Sequence, residues 1–138
     1  MSLDASANGT LSSVSHSWRY ANRSGIHGLA LGSSDGSELL YSADLSGDAI
    51  WTHRLAPDGG AEEVGRFSVA SGSHPRHVAA HPRGGRVYAV MEAGNRVAAF
   101  TLGRAGEVER EESTWSLIPR GMPAWCLAGE GKTGDGLG

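Results

Sequence analysis

A single cysteine, Cys126, occurs among the 138 residues, so no internal disulfide can form and the sequence offers no sign of a stapled, secreted framework. Its neighbours Pro123, Ala124, Trp125 and Leu127 supply no histidine or basic group, so the thiol reads as incidental or buried rather than nucleophilic. Charge does not accumulate either. The formal net charge is −3, which argues against a bulk electrostatic grip on nucleic acid or an anionic membrane. No apolar run approaches the length of a membrane span. Met1 to Ser13 is Ser-rich and lacks a basic start followed by an apolar stretch, so it does not read as a signal peptide. A cytoplasmic location is the expectation. Two catalytic motifs are also missing. Gly129-Glu130-Gly131-Lys132-Thr133 has the end of a phosphate-binding loop without its first glycine or its strand-to-helix context. No Gly-x-Ser-x-Gly nucleophile elbow occurs.

Glycine, by contrast, is abundant: 21 residues spread along the whole chain, as suits many short strands joined by tight turns. The chain also repeats itself. Leu40-Tyr41-Ser42-Ala43 matches Val87-Tyr88-Ala89-Val90 at an offset of 47, and at the same offset Gly47 meets Gly94, Asp48 meets Asn95, Ile50 meets Val97 and Leu55 meets Leu102. Upstream, Ile26-His27-Gly28-Leu29-Ala30 aligns with Arg76-His77-Val78-Ala79-Ala80 once three residues are removed around Ser33 to Asp35. Each repeat divides into four strand candidates, near 26–31, 38–45, 49–55 and 61–69, then near 76–81, 86–92, 96–102 and 107–117. Asp35-Gly36, Gly47-Asp48, Asp58-Gly59 and Gly94-Asn95 supply the positive φ that tight hairpins need. In the third strand Ile50, Thr52 and Arg54 alternate with Trp51, His53 and Leu55. A four-stranded unit at a period in the forties has the size of a propeller blade. The expectation is an all-β chain: a flexible lead over 1–13, a partial β-propeller over 14–118 with antiparallel blades near 26–69 and 76–117, and a disordered tail over 119–138. That tail reads alternatively as a sequence diverted by truncation or a mistaken exon boundary. Two blades leave two faces open, which points to self-association through them.

Several phrases resemble a known family. Gly25-Ile26-His27-Gly28-Leu29, Leu40-Tyr41-Ser42-Ala43-Asp44-Leu45 and Trp51-Thr52-His53-Arg54 are similar to the fungal carboxy-cis,cis-muconate cyclase branch of the propeller lactonases. Gly72-Ser73-His74-Pro75-Arg76-His77-Val78-Ala79-Ala80-His81-Pro82 resembles the broader group, which includes 6-phosphogluconolactonase. The resemblance covers residues 14–118. It implies a seven-bladed parent, a catalytic histidine at His27, an arginine at Arg76 and a glutamate at Glu92, with His77 beside Arg76 as a substrate-binding residue. A further arginine that the family takes from a later blade has no counterpart here. It also implies a metal-independent isomerase that closes a carboxymuconate to a muconolactone in aromatic catabolism, with no cofactor and with a small polycarboxylate as its partner. A sugar-lactone hydrolase of the same group is the alternative, and a non-catalytic propeller fragment is the reading outside enzymes. By the same resemblance, the isolated chain is not expected to turn over substrate.

The residue types suit this chemistry. A guanidinium holds a carboxylate by parallel hydrogen bonds. A histidine or a raised glutamate can move a proton near neutral pH. Each residue also has a plainer reading: His27 as a packed strand histidine, Arg76 as a surface arginine after a turn, Glu92 as a solvated carboxylate at a strand end. His74, His77 and His81 are spaced as on one face of a helix, but Pro75 and Pro82 argue against a helix and so against a metal site. His53 and Arg54 read as an outer strand face. Trp18, Trp51, Trp115 and Trp125 read as packing residues.

Overall fold

The computed structural model describes residues 1–122. Cys126, Trp125, the Gly129–Thr133 pattern and most of the expected tail lie outside them. The described residues form ten strands. β1 (Ser2–Ala5) and β2 (Leu11–His16) make a hairpin. β3 (Ile26–Ser34), β4 (Ser37–Asp44), β5 (Ala49–Leu55) and β6 (Ala61–Ser68) make one four-stranded sheet. β7 (Pro75–Ala80), β8 (Arg86–Met91), β9 (Arg96–Leu102) and β10 (Val108–Ser116) make another. Both four-stranded sheets are antiparallel meanders in chain order. The strands match the sequence expectation because the turns are chemically marked. Asp35 and Gly36 both hold positive φ, 48° and 76°, between the paired residues Ser34 and Ser37, as a two-residue hairpin of mirror-image type requires. Asp48 and Asn95, equivalent in the repeat, take φ of 45° and 47°.

The core lies between the two sheets rather than within either. Leu39, Tyr41 and Ile50 of the first blade pack with Val87, Ala89, Met91, Ala98 and Phe100 of the second, and Phe67 meets Phe100 edge-on at 5.5 Å. The Tyr41 hydroxyl crosses the interface to donate to the Gly106 carbonyl at 2.8 Å. Burial, and then the Glu107 charge, pushes the Tyr41 pKa up to about 12.

The opposite face of the first blade differs in kind. At the offset of 47, Ser42, Asp44 and His53 stand where the second blade has Ala89, Met91 and Phe100. The polar set is buried under the segment that precedes β3. Tyr20 bonds Ser42 at 2.8 Å and packs edge-on against Trp51 and His53. Asp44 is fully buried and accepts four hydrogen bonds: from the Ser24 hydroxyl, the Gly25 and Gly47 N–H groups and the Trp51 indole, at 2.6 to 2.9 Å.

Four expectations need correction. Residues 1–13, expected as a flexible lead, hold β1 and the first half of β2. Their polar, Ser-rich strands hide the alternation, and only the turn at Gly9, with φ of 83°, marks the hairpin. His53 is buried, 3% exposed, because Trp18 and Tyr20 cross over it, and burial lowers its pKa. Trp115 is 53% exposed: it pairs with Val97 on the face of the second blade that is turned away from the first. Finally, the offset of 50 between the inner strands is one residue too long. Ile26 pairs with Asp44 and Pro75 with Met91; Gly28 pairs with Ala43 and His77 with Val90. His27 is therefore the counterpart of Arg76, not of His77.

Candidate active site

His27 and Arg76 owe their placement to the same device. Each is the extra residue of a β-bulge, lying between Ile26 and Gly28 in one blade and between Pro75 and His77 in the other. A bulge bends the strand and re-aims one side chain out of the pleat. β3 and β7, the first strands of the two blades, run side by side, and Gly28 permits the approach. A Cβ on Gly28 would lie 2.5 Å from the Arg76 carbonyl oxygen and 2.8 Å from the His77 Cα.

The three residues singled out in the sequence come together. Arg76 Nε donates to His27 Nε2 at 3.1 Å, and Arg76 Nη1 donates to Glu92 Oε1 at 2.7 Å. Glu92 directly follows β8, and its own N–H donates to the His74 carbonyl at 2.9 Å. His77 stands edge-on to His27 with ring centroids 5.2 Å apart. Because arginine only donates, Nε2 of His27 carries the lone pair and Nδ1 carries the ring proton. The cluster is half-exposed: the Arg76 and Glu92 side chains retain 42% and 46% of their accessible surface. It presents a guanidinium, a neutral imidazole and a carboxylate on one patch of surface. Among the described residues no group of three or more His, Cys, Asp or Glu side chains converges as metal ligands would.

Sequence reasoning missed two contributors. Gly28 carries a legible signal, since a glycine inside a strand pattern marks a bulge or a close backbone approach. Asp48 reads in the sequence only as a turn residue. Its carboxylate accepts hydrogen bonds from the N–H groups of Gly72 and His74 at 2.7 and 2.8 Å, and nothing in the sequence distinguishes it from Asn95.

Comparison with known proteins gives the family. A family model described as the lactonase seven-bladed β-propeller matches residues 8–129. The chain belongs to the seven-bladed lactonase family. Among its relatives, the carboxy-cis,cis-muconate cyclase of Neurospora crassa is 37% identical over 137 residues, 98% of this chain and 36% of that protein. The 6-phosphogluconolactonase of Bacillus subtilis is 35% identical over 80 residues, 58% of this chain and 23% of that protein. The solved structure of a Pseudomonas aeruginosa periplasmic gluconolactonase superposes with a TM-score of 0.67 at 24% identity, over 88% of this chain and 36% of that one, a likeness that speaks for the fold alone. The chain thus spans about a third or less of the length of these relatives. Its two sheets are two adjacent blades of the propeller.

Proposed function

We propose that His27, Arg76 and Glu92 form the carboxylate-holding and proton-moving part of a lactonizing site, and that the reaction is the cycloisomerisation of a carboxylated muconate. The observation that supports this reading most is the arginine bridging a neutral histidine and a carboxylate through hydrogen bonds of 3.1 and 2.7 Å. Neither bond occupies Arg76 Nη2, which is left to receive a substrate carboxylate. In lactonization one carboxylate oxygen forms a C–O bond to an alkene carbon. The π electrons move toward the carbon beside another carboxyl group, and that carbon takes a proton. Arg76 steadies the developing negative charge, as fixed donors do in preorganised sites. His27 is the group placed to take a proton from solvent and, as the imidazolium, deliver it to that carbon, while the Glu92 carboxylate holds the guanidinium in place. His77, beside His27, contributes a further polar contact to the polycarboxylate.

The test is calorimetric binding of 3-carboxy-cis,cis-muconate by this chain, with loss of ultraviolet absorbance followed in a protein that restores the remaining blades. Arg76→Ala should weaken binding about tenfold to a hundredfold, the range for losing a charge-assisted pair that is partly exposed. Higher salt should weaken the wild type more than the variant. Equal binding by the two proteins would remove the assignment. The second reading, hydrolysis of a sugar lactone, is favoured by the likeness to the Bacillus subtilis protein. Acid release from 6-phosphogluconolactone with no change in muconate absorbance would select it.

A further inference from the structure

We infer that Asp48, in the turn between β4 and β5, is a positioning residue that sets where Arg76 and Glu92 stand relative to His27. The inference rests on the reading of the cluster given under Proposed function, and it concerns a residue that touches none of the three side chains directly.

Three hydrogen bonds carry it. The Asp48 carbonyl accepts from Val69 N–H at 2.9 Å. Its carboxylate accepts from Gly72 N–H at 2.7 Å through Oδ2 and from His74 N–H at 2.8 Å through Oδ1. One residue of the first blade thereby grips the connector between β6 and β7 at its start, its middle and its end. The connector needs the grip. Gly72 and His74 both hold positive φ, 76° and 52°, and for a histidine that conformation is uncommon and must be held by its surroundings. Charge-assisted bonds to backbone N–H groups are the stronger kind. Burial pushes the Asp48 carboxyl up, but the His74 and Gly72 N–H groups outweigh it and hold the pKa below the ordinary aspartate value.

His74 is the point from which the ion pair hangs. Along the chain it is followed by the buried Pro75 and then by Arg76 in its bulge. Through space its carbonyl accepts the Glu92 N–H at 2.9 Å. Movement of His74 therefore carries Arg76 and Glu92 together, while His27, on β3, stays with the first blade. The contact at risk is the 3.1 Å bond from Arg76 to His27, not the 2.7 Å ion pair. The internal repeat separates this role from ordinary turn stability. Asn95 repeats the backbone part of the arrangement, its carbonyl accepting Leu117 N–H at 2.8 Å. The carboxylate grip is what Asp48 adds.

The test uses Asp48→Gly, which removes the carboxylate and tolerates the positive φ, with Asp48→Asn, which keeps one acceptor oxygen, and Asn95→Gly as the control turn. The readout is the ring-nitrogen NMR signature of His27, with binding of the saturated tricarboxylate tricarballylate measured in parallel. In the wild type His27 should show a protonated Nδ1 and an unprotonated Nε2. Asp48→Gly should shift it toward the Nε2-protonated tautomer and weaken tricarballylate binding about tenfold. Asp48→Asn should fall between the two, and Asn95→Gly should leave His27 unchanged. An unchanged His27 signature in Asp48→Gly, with only a lower melting temperature, would overturn the inference. Should Asp48→Gly not fold, an unshifted signature in Asp48→Asn would overturn it equally. A shifted signature with no tricarballylate binding by the wild type would uphold the positioning role and reject the carboxylate-site reading.

Discussion

Asp44 sits under the segment before β3 with both oxygens engaged, Oδ1 by two backbone N–H groups and Oδ2 by the Ser24 hydroxyl and the Trp51 indole. Burial raises its carboxyl pKa, but the bonds from Ser24, Trp51, Gly25 and Gly47 outweigh it, and the net shift is downward. The folded value is depressed, so the stabilisation is fully present above the ordinary value of 3.8 and disappears as pH falls through the lower folded value. Asp44→Asn keeps one acceptor oxygen and turns an amide toward groups that donate, leaving the Trp51 or Ser24 donor unpaired. Denaturant unfolding at neutral pH should show a loss of about 2–3 kcal/mol. The wild type should lose stability more steeply than the variant below pH 3.8. Parallel acid profiles would refute the assignment.

At the scale of the strand, Gly28 decides how near β3 and β7 can lie. A Cβ there meets backbone on β7 rather than a side chain able to move. Gly28→Ala should cost about 1–3 kcal/mol through overpacking and open the Arg76–His27 bond, seen as a lower melting temperature together with a changed His27 ring-nitrogen spectrum. A spectrum identical to the wild type would show that β7 does not move. The strands themselves were legible because Asp-Gly and Gly-Asn turns punctuate them. The register of the inner strands was not. The bulge in β7, unlike the one beside Gly28 in β3, inserts a residue with no glycine to mark it, so the paired histidines His27 and His77 suggest an alignment one residue off. The burial of His53 was equally hidden, because its cover comes from Trp18 and Tyr20, far back in the chain, and strand alternation reports only that one face differs from the other. His27, Arg76 and Glu92 were legible through family phrases. Their mutual bonding was not, since it depends on both bulges and on the approach at Gly28.

Across the whole molecule, the blades share one core, so they should melt together in a single transition. The Tyr41 hydroxyl, buried and bonded across the interface to Gly106, tests that union. Tyr41→Phe should destabilise the protein by about 1–2 kcal/mol, leaving a buried carbonyl unpaired. The folded pKa is raised, so the phenol's contribution holds below its ordinary value of 10.0 and is lost as pH rises through about 12. Alkaline unfolding of the wild type that Tyr41→Phe fails to share would support this, and superposable alkaline profiles would count against it. The two bulges bear on a longer timescale. The same backbone slot recurs in both blades, yet it holds histidine in one and arginine in the other. Under the proposed function, the reacting groups are thus spelled one letter per blade, in a slot that belongs to no ladder pair. A single exchange there changes the side chain offered and leaves the pairing of the strands intact, so copies of one duplicated blade are free to diverge in chemistry while keeping a common shape.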